Sequence, residues 1–183
     1  MAATLEPLKA FWDVPQGLRD TPIGELIAYQ NFGKPAQRQD KARLLIGICM
    51  DHRASLRVPE GFAYILRVGG ANLSPVAFNV SYAVAAKGVR WIALIGHSGC
   101  GAVNLRARRE EVVSGLVKGV GWSRPDAEKH FDALAPVYEI DDPAAFVARQ
   151  ARLLEHDYPG VIAVPLFMDL ADGSLSLVVP SKG

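Results

Sequence analysis

The sequence predicts an α/β fold with one mainly parallel central sheet flanked by helices. Three observations lead there. Short apolar runs recur along the 183 residues, segments with helix-capping residues separate them, and neither a repeat nor a linker divides the chain. Strands that alternate with helices are joined by crossovers, which keep them parallel. The length suits a single domain, residues 1–183.

Residues 1–21 contain Pro7 and Pro15 and read as an irregular N-terminal arm. A helix is expected over Pro22–Phe32, with Thr21 as its cap, Pro22 in its first turn and Glu25 near its positive end. Polar residues follow to Lys41. The run Arg43-Leu44-Leu45-Ile46-Gly47-Ile48 fits a strand covered on both faces. Ala63–Arg67 is a second strand, ended by Gly69 and Gly70. Ser74 is placed to cap a helix reaching about Lys87, with Gly88 as its stop. Val89–Ile95 is a third strand, and a helix is expected from about Gly99 into the charged segment beyond it. Residues 115–135 are glycine-broken and then polar, and match no element. Asp141 or Asp142 caps a helix from Pro143 to near Asp157. Val161–Leu166 is a fourth strand. Phe167–Leu170 and Leu175–Val179, around Asp172-Gly173, suggest a terminal strand pair.

The 20 basic and 19 acidic side chains give a net charge of +1. That balance offers no footprint for nucleic acid or for a membrane surface. Arg106, Arg108 and Arg109 run directly into Glu110 and Glu111, as on a solvated helix face. No stretch approaches the roughly 20 apolar residues of a membrane span. Met1–Asp20 lacks the basic-then-apolar pattern of a signal peptide, so a cytoplasmic location is expected. The mean hydropathy of +0.13 is compatible with apolar surface covered in an oligomer. Two cysteines are too few for a disulfide framework and point to metal binding, catalysis or core burial.

The residues with chemistry follow apolar strands. Cys49-Met50-Asp51-His52-Arg53 comes after the first, and Gly96-His97-Ser98-Gly99-Cys100-Gly101 after the third. Ligands of open α/β sheets bind beyond the carboxyl ends of strands, so residues 48 apart in sequence become neighbours there. Cys49, His97 and Cys100 offer zinc two thiolates and an imidazole. His97 and Cys100 are three apart, on one face of a turn expected to enter a helix whose N-terminus favours the Cys100 thiolate. Three protein ligands leave a fourth position for water, or for Asp51 in a closed resting state. Asp51 and Arg53 are suited to a bidentate pair that orients an attacking oxygen. Each feature alone has a plainer explanation: a buried cysteine, a core histidine, an ordinary salt bridge. Their joint placement favours zinc. His52, His130 and His156 read as surface residues, and Trp12, Trp91 and Trp122 as packing or interface residues.

Cys-x-Asp-x-Arg followed by His-x-x-Cys-Gly resembles the β-class carbonic anhydrases. Supporting likenesses are Arg67-Val68-Gly69-Gly70-Ala71-Asn72, Tyr82-Ala83-Val84 and the turn from Phe167 to Gly173; together they span about residues 22–180. The resemblance implies a β-carbonic-anhydrase-like domain and Zn2+ on Cys49, His97 and Cys100, with Asp51 and Arg53 as a catalytic dyad. It implies reversible hydration of carbon dioxide to bicarbonate by a homodimer or higher homo-oligomer. Gln39 and Gly101 are the candidate substrate contacts. Departures are His52, where serine is common, and Val68, where asparagine is usual. His52 is also a candidate proton shuttle. Two other readings fit the same zinc set: hydrolysis of carbonyl sulfide or carbon disulfide, and a non-catalytic zinc-stabilised scaffold or sensor.

Overall fold

The N-terminal arm is not irregular. In the computed structural model, which describes residues 3–181, Ala3–Pro7 forms an edge strand, β1. Its pattern is almost wholly exposed, so it carries no apolar stripe to announce it, and Pro7 is tolerated because it ends an edge strand. After a one-turn helix, Gln16–Arg19 (α1), comes Pro22–Phe32 (α2), with Thr21 Oγ1 accepting from the Ile23 and Gly24 amides and Gly33 closing it in the left-handed conformation.

Leu44–Ile48 (β2) is buried throughout, and Ala63–Arg67 (β3) pairs with it in parallel. The next helix, Ala77–Ala85 (α3), starts later than expected. Ser74 does not cap it: the Ser74 amide is held by Asn72 Oδ1, and Ser74–Val76 forms a separate 3-10 turn. Trp91–His97 is β4. No helix begins at Gly99. Gly99 at φ +63° and Asn104 at φ +51° are left-handed, and helical structure resumes with a 3-10 turn at Leu105–Arg108 and then Arg109–Val120 (α4). The segment that matched no element contains the rest of α4 and most of Arg124–Tyr138 (α5), capped by Ser123. Pro143–Asp157 (α6) has Asp142 as its cap, and Ile162–Met168 (β5) and Leu175–Pro180 (β6) complete the chain.

These strands form one sheet in the order β1-β6-β5-β4-β2-β3. Its four strands β3, β2, β4 and β5 are parallel; β6 and β1 extend it antiparallel. Alternation divides the core. Leu44, Ile46 and Ile48 pack with Ile23, Leu26 and Ile27 of α2 on one face. Leu45, Ile92 and Leu94 pack with Val80 of α3 and Val147 and Leu154 of α6 on the other. The α4–α5 hairpin keeps a small core of its own around Val113, Ala127 and Phe131.

Ile46 is completely buried at the centre of β2. We expect Ile46→Ala to cost about 2–5 kcal/mol. In urea titration this appears as a lower midpoint at an unchanged slope.

Candidate metal centre

The site is a product of strand register. Ile48 of β2 lies opposite Ile95 of β4, so the residues that follow, Cys49 and Gly96-His97, emerge side by side at the carboxyl edge. Cys100 returns to them through the left-handed Gly99. The potential ligand atoms of Cys49, His97 and Cys100 all lie within 4.8 Å of one another, and all three residues are buried. The two Sγ atoms are 3.9 Å apart.

Electrostatics shows what this triangle lacks. The Cys100 thiol hydrogen-bonds to Cys49 and draws its pKa down to about 4, against burial, which raises it. The same contact, with burial, pushes Cys100 upward. The pair therefore holds one negative charge and one proton, and a bound cation is what permits two thiolates. His97 is fully buried. Its Nδ1 lies 2.9 Å from the Ser98 carbonyl, which can only accept, so Nδ1 carries a proton and Nε2 is the nitrogen left for a metal; burial lowers the pKa of the ring, but neighbouring Cys49 and the Ser98 carbonyl raise it on balance. Nε2 is the one buried side-chain nitrogen or oxygen without a hydrogen-bond partner among the described residues. Two sulfurs and an orphaned imidazole nitrogen, converging in a buried space, fit a tetrahedral zinc site with a fourth position left over.

Asp51 and Arg53 stand beside it. The Arg53 guanidinium grips the carboxylate through Nε–Oδ1 at 3.0 Å and Nη2–Oδ2 at 2.6 Å, and the Arg53 amide adds a bond to Oδ1 at 3.0 Å. These bonds hold the Asp51 carboxyl well below the usual carboxylate range. Arg53 Nη2 also donates to the Gly99 carbonyl at 3.2 Å, tying the loop after β2 to the loop after β4. His52 projects into solvent, with its side chain 94% exposed and Nδ1 3.9 Å from Asp51 Oδ1.

Further contacts brace the centre. The Ser98 amide donates to the Met168 carbonyl and Ser98 Oγ accepts from the Leu170 amide, so the turn at 169–173 supports His97. Ile140 packs on Cys49, Cys100 and Ala102 and donates its amide to the Ala102 carbonyl. Gly101 lines a cavity of about 670 Å³ that opens over Cys49 and Asp51. Gln39 lies elsewhere, in the loop before β2, where its amide bonds to the Glu60 carbonyl ahead of β3. Both partners precede their strands, so within one chain Gln39 sits toward the opposite edge of the parallel sheet.

The glycine ahead of His97 has a role that spacing does not disclose. A Cβ on Gly96 would stand 2.7 Å from the Pro143 carbonyl oxygen, in the first turn of α6. The helix rests directly on the strand that presents the histidine, and only tertiary packing makes this visible.

Comparison with solved structures agrees with this geometry. The chain is similar to β-carbonic anhydrase isoform I of Trichomonas vaginalis, with a TM-score of 0.65 and 17% identity over 92% of this chain and 100% of that one. It is similar to a carbonic anhydrase from Glaciozyma antarctica, with a TM-score of 0.59 and 22% identity over 88% and 98%. A carbon disulfide hydrolase also matches, with a TM-score of 0.54 and 18% identity over 75% and 79%. The chain thus has the β-carbonic anhydrase fold. No family model and no curated protein matches the sequence.

Because the Gly96 contact is with backbone, Gly96→Ala is expected to cost about 1–3 kcal/mol and to weaken zinc retention by shifting His97. Thermal unfolding and competition with a chromogenic chelator check both. An unchanged midpoint together with unchanged zinc retention would show that α6 gives way freely.

Proposed function

We propose that this chain is a zinc enzyme that reversibly hydrates carbon dioxide to bicarbonate. The observation that carries the reading is the buried Cys49, His97 and Cys100 triangle beside an Arg53-clamped carboxylate. Zinc held by these three residues supplies Lewis acidity that makes water a nucleophile near neutral pH. Asp51 is kept ionised by Arg53, so it accepts a hydrogen bond from the attacking oxygen and turns a lone pair toward the substrate carbon. Arg53 holds that carboxylate in place, and so would keep it from becoming a further ligand of a metal held by Cys49, His97 and Cys100. The apolar wall formed by Val112, Phe131 and Leu134 presents a weakly hydrated space suited to an uncharged, linear electrophile. Protons leave towards solvent, where His52 stands exposed beside Asp51 as a candidate carrier. Gly101, on the cavity wall, leaves room for substrate.

The same wall supports a second reading, hydrolysis of carbonyl sulfide or carbon disulfide, and a carbon disulfide hydrolase is among the similar structures. We favour a homo-oligomer in either case. Tyr64 and Ile65 are exposed on the edge strand β3, with Phe78 and Tyr82 on the adjacent α3, and together they offer an apolar face to a second copy. A cytoplasmic location is part of this reading. No helix among the described residues is long and apolar enough to cross a membrane.

Stopped-flow hydration of carbon dioxide by metal-analysed protein tests the proposal. Wild type is expected to carry about one zinc per chain and to turn over, while Cys100→Ala loses both. Asp51→Asn is expected to keep its zinc and lose about 100- to 10,000-fold in turnover, as for a removed proton acceptor. Zinc-loaded wild type that releases sulfide from carbonyl sulfide or carbon disulfide but does not hydrate carbon dioxide establishes the second reading instead. Zinc with neither activity leaves a scaffold or sensor.

A further inference from the structure

The register that sets Cys49 beside His97 at one edge of the sheet has a counterpart at the other. Leu44 of β2 lies opposite Trp91 of β4, so the residues that precede them, Arg43 and Arg90, enter side by side at the amino edge. They border a cleft of about 300 Å³, a size that admits a small molecule. Lys41, Ala42 and Arg43 line it ahead of β2, Arg90 and Trp91 line it where β4 begins, and Pro22 lines it from the first turn of α2.

Every charged group on the wall of this cleft is a cation. Lys41 is exposed and makes no hydrogen bond or ion pair among the described residues. Arg90 commits only Nη1, to the Val84 and Val89 carbonyls at 3.0 and 2.8 Å, and no carboxylate among the described residues pairs with it. Arg43 gives Nη2 to Glu25 at 2.8 Å, but Glu25 is shared with Lys34 at 3.0 Å, so two cations rest on one carboxylate. Asp20 and Asp40 are the other carboxylates near in sequence. Both are exposed, neither lines the cleft, and no ion pair joins them to its cations. Pro22 brings the positive end of an 11-residue helix to the same place. Like charges gathered in this way repel one another, and a bound anion relieves that repulsion. Two guanidinium groups with unused N–H donors suit an oxyanion with several oxygens, and the half-buried Trp91 offers a flat apolar wall beside them. A phosphate monoester carries close to two negative charges near neutral pH and presents three acceptor oxygens.

We propose that this cleft binds a phosphate dianion between Lys41, Arg43 and Arg90, as inorganic phosphate or as the monoester of a small organic molecule whose body lies along the Trp91 indole. The site stands at the edge of the sheet away from the metal centre, and the proposal is independent of the reaction performed there.

Calorimetric titration of the full, zinc-loaded chain with inorganic phosphate, phenyl phosphate and phenol tests this, in about 0.15 M sodium chloride to screen weakly held surface ions. Saturable phosphate binding is expected, with phenol about tenfold weaker or more for want of the charge-assisted bonds. Tighter binding of phenyl phosphate than of inorganic phosphate assigns the cleft to esters; equal or weaker binding assigns it to the free ion. Because phosphate also has affinity for zinc, the place of binding is read separately. In nitrogen–proton NMR spectra the Trp91 indole resonance, assigned with Trp91→Phe, is expected to shift along the same saturation curve. Lys41→Glu removes a cation that bonds to nothing in the fold, and Ala42→Glu sets a carboxylate inside the cleft. Each is expected to lower phosphate affinity by about tenfold or more. Absence of saturable binding of either phosphate, phenol bound as tightly as the better of the two, a Trp91 resonance that does not move, or full affinity in both glutamate variants would each overturn the proposal.

Discussion

Parallel pairing of β2 with β4 is the constraint on which the site depends. Opposition of Ile48 and Ile95 brings two distant loops to one edge. A slip of one residue in that ladder would exchange the faces of every β2 side chain and set Cys49 out of line with His97. The register is enforced from both sides. Ile46 and Ile48 belong to the α2-side core, while Leu45 belongs to the α3 and α6 side. Gly47 faces Leu94 and Leu73 so closely that a Cβ there would meet the Leu94 side chain at 2.9 Å. The chemistry at the edge is thus held by hydrophobic packing within the sheet.

Around that ladder, polar contacts supply what packing alone lacks, a fixed orientation. Arg53 spans from Asp51 to the Gly99 carbonyl. The Ser98 carbonyl sets the proton on His97 Nδ1, leaving Nε2 to face the sulfurs. Asn72 and Gln150, both buried, secure the turn after β3: Gln150 accepts from the Leu73 amide, and Asn72 donates to the Val137 carbonyl. The bonds from Arg53 to Gly99, from Leu73 to Gln150 and from Asn72 to Val137 each join distant segments, so the loops around the site are tied into the scaffold.

What could be read beforehand follows from where information resides. α2 and α6 were legible in outline because Thr21, and one of Asp141 and Asp142, stand ready to cap them and prolines occupy their first turns; the structure selects Asp142. β2 and β3 were legible from composition. β1 was not, since an exposed edge strand has no stripe and forms only because β6 is there to pair with it. The helix expected at Gly99 failed because the chain turns left-handed there and again at Asn104. That route brings Cys100 back toward His97 without any helix, so the thiolate owes nothing to a helix N-terminus. α5 was missed although Ser123 caps it, because its apolar residues serve a small satellite core. For the site, the two segments were plain in sequence, whereas the supports from Gly96 and Ile140 arise from α6 and from the segment after α5, far along the chain.

The wide separation of Cys49 and Cys100 has a thermodynamic side. A metal ion joining them would cross-link the chain across a span of 51 residues. Closing a loop of that length in the unfolded ensemble is worth about 4 kcal/mol on the chain-entropy scale used for disulfides. The enclosed span contains β3, α3 and all of β4. Strand pairings between residues so distant are slow to find and costly in entropy. An ion bound at the edge would therefore act as a removable staple on the non-local β2–β4 pairing, so that metal supply would govern the persistence of that part of the sheet as well as its chemistry.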